Sequence, residues 1–107
     1  MNGNAPKPTR DVGLLTEELC DALLTPRSRE EMRSLLRDLC TPSEIRALAE
    51  RWHVARLLDG TELSYREIHE ATGVSTTTIV RVGRFLRDEE NQGYRQVINA
   101  LEDNNVR

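Results

Sequence analysis

SYREIHEATGVSTTTIVRVGRFL, residues Ser64 to Leu86, decides the fold, because two short helical patterns flank a Gly-Val-Ser turn. Ser64 followed by Glu67 is a capping box, in which each side chain satisfies a backbone N–H of the first turn. Ile68 and Ala71 then share one face. Gly73 stands where a helix must stop, since a residue without Cβ enters the left-handed region at little cost. Ser75 is the next N-cap, and Ile79, Val82 and Leu86 repeat at the spacing of one buried helix face. The whole reads as a helix-turn-helix over 64–87.

The other side of its second helix carries Thr76, Thr77, Thr78, Arg81 and Arg84. Such a helix can enter a DNA major groove with its N-terminal residues nearest the base edges, while Arg pairs with guanine or anchors on phosphate. Two packed helices are common, so charge has to weigh the functional reading against a structural one. From Ala71 to Arg87 there are three arginines and no acid, although the formal net charge of the chain is -3. Counterion release depends on the phosphate contacts made and not on global charge, so an acidic protein with a local basic face can bind DNA. Ser64, Tyr65 and Arg66 at the start of the first helix are expected on backbone phosphate, with Ser75 at the start of the second.

Outward from this stretch the chain reads as helices throughout. Residues 1–10, with Gly, Asn and two prolines, are expected to form a mobile arm. Leu15, Leu19 and Leu23 mark a first amphipathic helix, broken by Thr25-Pro26. Ser28 and Glu31 offer a capping box to a second, whose apolar face is Met32, Leu35, Leu36, Leu39 and Cys40. Thr41, Pro42 and Glu44 start a long third helix to about Leu58, apolar around more than half its circumference and therefore central. Gly60 is expected to cap it. After an acidic stretch from Asp88, Tyr94, Val97, Ile98 and Leu101 form a last short helix, with Asp103 to Arg107 frayed. The reading is all-α, a single helical domain over 11–104. Narrow leucine stripes on the first two helices would remain partly exposed in a monomer, which argues for a homodimer.

Composition excludes several classes. Of 107 residues 37% are hydrophobic and only 4% aromatic, which suits packed helices with a core of Leu, Val, Ile and Ala. No signal-peptide pattern and no apolar run long enough to cross a bilayer is present, so the expected place is the cytoplasm, with no membrane partner. Cys20 and Cys40 sit at helical spacing from leucines and read as buried reduced thiols. His53 and His69 have no metal-ligand spacing, so no metal is expected. Paired catalytic carboxylates, a nucleophile with its base and a phosphate-binding Gly-rich loop are all missing, and the chain does not read as an enzyme.

From Thr41 onward, TPSEIRALAERWHVARLLDGTELSYREIHEATGVSTTTIVRVGRFL resembles the Trp repressor superfamily. GVSTTTIVRVGRFL with the later Gly93-Tyr94-Arg95 is nearest to its YerC/YecD-type branch, and the likeness covers about Leu23 to Leu101. The resemblance implies an intertwined helical homodimer whose two helix-turn-helix units face successive major grooves. It also implies a ligand pocket, for which Thr41, Arg51 and Arg81 match the family positions. Val82 and Phe85 stand where a small Gly and a Ser admit the tryptophan corepressor, and overfilled pockets between packed helices are hard to relieve. No cofactor is therefore expected; a small-molecule effector remains unidentified. The leading expectation is a dimeric, sequence-specific transcriptional regulator acting on double-stranded DNA as a repressor by promoter occupancy. The alternative is a helical protein-interaction module without specific DNA binding.

Overall fold

The computed structural model describes residues 5–88 and 90–106, and among them helices are the only regular elements. They are α1 (Val12–Leu23), α2 (Arg29–Leu39), α3 (Pro42–Gly60), α4 (Tyr65–Thr72), α5 (Thr76–Arg87) and α6 (Gly93–Val106). The chain falls into two compact units, Met1–Thr41 and Pro42–Arg107.

In the first unit residues 5–10 form no helix and are exposed, while residues 1–4 of the expected arm lie outside the described residues. The Asp11 carboxylate accepts the Leu14 N–H at 3.2 Å and starts α1. Thr25 ends it, with its hydroxyl on the Asp21 carbonyl and its N–H on that of Ala22. Ser28 caps α2 as expected, accepting the Glu31 N–H at 3.1 Å. Glu31, however, accepts from the Arg27 N–H and not from that of Ser28, so the box closes one residue earlier. Neither helix buries a residue: Val12, Leu14, Leu15, Leu19, Leu24 and Leu39 all remain exposed. Cys20 is exposed and Cys40 half-buried, both as free thiols. The expected burial is not met: Cys20 lies on α1, which has no buried residue.

The second unit holds the core. Val54, Ala55, Ile68, Val74, Ile79, Val82 and Ile98 are buried together, flanked by Trp52, Leu57, Leu58, Tyr65, Leu86 and Tyr94. Helix α3 is central, as its broad apolar surface requires, and both α5 and α6 pack on it. Gly60 does not cap it: Gly73 is the only described glycine with positive φ. The Thr61 hydroxyl and N–H both donate to the Leu57 carbonyl, at 2.7 and 3.1 Å, and take over the end of the helix. Between α5 and α6 the Asp88 carboxylate accepts from the Glu90 N–H and the Asn91 amide, and Gln92 turns through φ 54°. Helix α6 is then longer than its apolar residues imply, running through Asn104 to Val106, while Arg107 lies outside the described residues. It is held by Ile98 in the core, by the Tyr94 ring 6.3 Å from that of Trp52, and by an Arg95–Asp59 ion pair.

Candidate nucleic-acid interface

The site is built on α4, a three-residue turn and α5. Ser64 accepts the Glu67 N–H at 3.1 Å, and Glu67 accepts the Ser64 N–H at 2.9 Å, the reciprocal box expected from the sequence. These bonds favour the ionised carboxylate, so the Ser64 N–H and hydroxyl hold the Glu67 carboxyl below its ordinary value. Helix α4 ends at Gly73, whose φ of 74° lets its N–H reach the His69 carbonyl at 2.9 Å.

The turn is fixed by a short chain of bonds. The Thr72 hydroxyl donates to the Ile68 carbonyl and accepts the Val74 N–H. His69 Nδ1 donates to the Val74 carbonyl at 2.7 Å, because a carbonyl can only accept. Val74 itself is buried, so the turn is anchored from both sides. Ser75 then caps α5, accepting the Thr78 N–H at 3.1 Å, with its hydroxyl 3.0 Å from that of Thr78.

Helix α5 divides cleanly. Ile79, Val82 and Gly83 are buried, while Thr76, Thr77, Val80, Arg81 and Arg84 face outward. Thr76, Thr77, Val80, Arg81, Arg84 and Phe85 line one shallow groove open to solvent. The Arg81 guanidinium lies over the Phe85 ring, 4.7 Å from its centroid, which is cation–π distance.

Of the residues singled out in the sequence, the structure gathers Thr76, Thr77, Arg81 and Arg84 on this groove. Ser64 and Ser75 are engaged as caps at helix starts, and half-buried Thr78 is the residue whose N–H Ser75 accepts. Arg66 is exposed and pairs with Glu70 at 3.1 Å. Tyr65 crosses to α5, where its hydroxyl accepts from Arg87 at 2.9 Å. In the expected ligand pocket Arg81 and Phe85 meet, whereas half-buried Arg51 on α3 does not line the groove and Thr41 belongs to the first unit.

Two residues of the region, Val80 and Gly83, carry no role in the sequence reading, and Arg87 enters it only as charge. A Cβ at Gly83 would overlap the Tyr65 hydroxyl oxygen and lie 3.1 Å from Cζ, so glycine here lets Tyr65 lie across α5. The signal for Gly83 was a helix-interior glycine, which costs about 1 kcal/mol against alanine and so asks for a packing reason.

The Trp repressor protein family model matches residues 15–102. The chain is 36% identical over 88 residues to the Bacillus subtilis protein named "Uncharacterized protein YerC", covering 81% of this chain and 82% of that one. Two solved structures share the fold at a TM-score of 0.76 each. One is a TrpR-like protein from Eubacterium eligens, 37% identical, with 83% of this chain and 90% of that chain covered. The other, described as a candidate Trp repressor from Staphylococcus aureus, is 34% identical, with 89% and 96% covered.

Proposed function

Because this chain belongs to the Trp repressor family, a family of DNA-binding regulators and not of enzymes, we propose that it is a sequence-specific transcriptional regulator. It acts as a homodimer that represses by occupying a promoter in the cytoplasm. The observation that carries this reading is the outer face of α5, with hydroxyls at the helix start, guanidiniums beyond them and no acid from Ala71 to Arg87. Thr76 and Thr77 approach base edges, and Arg84 holds a guanine or a phosphate. Ser64, Tyr65, Arg66, Ser75 and Thr78 place the two helix starts against the backbone, where free N–H groups favour phosphate. Arg81 is divided between phosphate and the Phe85 ring.

The dimer is supported by the leucine face of α1 and by Leu39 of α2, which one chain leaves exposed. In that dimer residues 11–104 make one domain. A protein-interaction module is the competing reading, and salt separates the two: binding to phosphate weakens steeply with added salt, whereas apolar docking is far less sensitive.

The experiment is selection of duplex DNA from a random pool at moderate salt, with Arg84→Ala as control. A palindromic motif is expected for the wild type. Arg84→Ala is expected to bind more weakly, and if Arg84 holds phosphate its slope of log affinity against log salt falls by about one per protomer. An unchanged affinity and slope would remove Arg84 from the interface.

DNA binding is further proposed to need no tryptophan. Support comes from Arg81 lying on Phe85 and from Val82 buried beside it in sequence, groups that occupy their own surroundings. Titration with L-tryptophan is expected to leave affinity for the selected site unchanged. A rise in affinity with tryptophan would show that the two side chains give way to a ligand.

A further inference from the structure

Within the groove on α5 one apolar side chain is exposed. Val80 is 46% exposed and stands outside the buried cluster that holds Ile79 and Val82. It lies one helical turn after Thr76 and Thr77 and one turn before Arg84, so a branched apolar group interrupts a run of hydroxyls and guanidiniums. No other large hydrophobic residue of α5 is exposed.

Base edges in the major groove present donors and acceptors and a single apolar group, the C5 methyl of thymine. A polar side chain at position 80 could pair with any of the former. Two valine methyls can pair with none of them and gain only by excluding water from another apolar surface. The surroundings choose between a protein and DNA as the source of that surface. Arg81, Arg84 and Arg87 flank Val80 on the same helix, and the acid-free stretch from Ala71 to Arg87 complements a phosphate backbone. Resting on the DNA-binding reading above, we infer that Val80 is a specificity-determining residue that seats against a thymine methyl in each half-site. Thr76, Thr77 and Arg84 fix the register, and Val80 rejects cytosine at that position, which presents an amino group and no methyl.

The test replaces the thymines of the selected duplex one at a time by deoxyuridine, which pairs identically and lacks only the methyl. At one position per half-site the wild type is expected to bind about four-fold more weakly, the loss of one buried methyl-sized group. Val80→Ala is expected to bind thymine and uracil equally there. Val80→Thr, with the same shape but one methyl fewer, is expected to fall between them. Thermal unfolding of each variant checks that α5 is intact. A selected site at which every uracil is tolerated, or at which Val80→Ala keeps the same uracil penalty, overturns the role of Val80 and leaves the DNA-binding reading standing. Recovery of no specific site overturns that reading and this inference with it.

Discussion

Ile79→Ala is expected to lower the stability of the protein by about 3 kcal/mol, within the range for isoleucine truncation in a closed core. Ile79 is fully buried on α5, in the cluster that includes Val54 and Ala55 of α3 and Ile68 of α4. Removing its outer carbons deletes burial at the point where three helices meet, and the rigid elements around it can close the cavity only in part. A domain of this size has total stability on the order of 5–15 kcal/mol, so this single change takes a large share. The measurement is urea unfolding at fixed protein concentration, followed by fluorescence of Trp52, the only tryptophan of the chain, which packs on the core and against Tyr94. Val80→Ala, one residue away on the exposed face, should change stability by under about 0.5 kcal/mol. Equal losses in the two variants would mean that the inner and outer faces of α5 are wrongly assigned.

The second large effect is expected from the first helix. Leu15 is 45% and Leu19 40% exposed within the chain, one turn apart on the stripe proposed to meet a second copy. Replacing both by glutamate places two charges where that interface would have to exclude water, a position in which neither finds a partner. Sedimentation should then report monomers at concentrations where the wild type is dimeric. Affinity for a palindromic site should fall by about 100-fold or more, because each half-site is then bound without the other holding it near. Helix α1 has no buried residue of its own to lose, so the helical signal of the second unit should persist. A double variant that stays dimeric would refute α1 as the dimer surface.

Much of the fold could be read from residues with a single physical job. Ser64 and Glu67, Gly73, and Ser75 each announce a helix start or stop by a bond or a dihedral that few other residues supply, and each performs it. Gly60 misleads because the same residue type is neutral without a demand for positive φ, and the next residue, Thr61, donates to the Leu57 carbonyl of the last turn instead. The end of α6 was illegible because Asn104 and Asn105 favour no helix by themselves, whereas the helix is anchored earlier, at Tyr94, Arg95 and Ile98. The exposure of Cys20 is not legible in the sequence, because leucine spacing shows which face is apolar and not what covers it.

In the candidate interface, Thr76, Thr77, Arg81 and Arg84 were found by type and spacing, and the structure sets them on one groove. Periodicity could not show that Arg81 turns onto Phe85 or that Tyr65 reaches Arg87, since both depend on rotamers and on contacts 4 and 22 residues away. Val80 is not legible in the sequence, because an apolar residue beside Ile79 and Val82 reads as core until its direction is known.

A Cβ at position 83 would meet the Tyr65 hydroxyl, the outer end of that side chain, so whatever stands at one of these two sites bears on the other. A lineage can hold a tyrosine at 65 with glycine at 83, or a side chain at 83 with a residue lacking that hydroxyl at 65, whereas tyrosine with a side chain at 83 requires one of them to shift. Substitution at 65 should therefore come first in any descent that leaves the present state, and transplanting either residue alone into a relative of the other kind should cost stability that transplanting both restores.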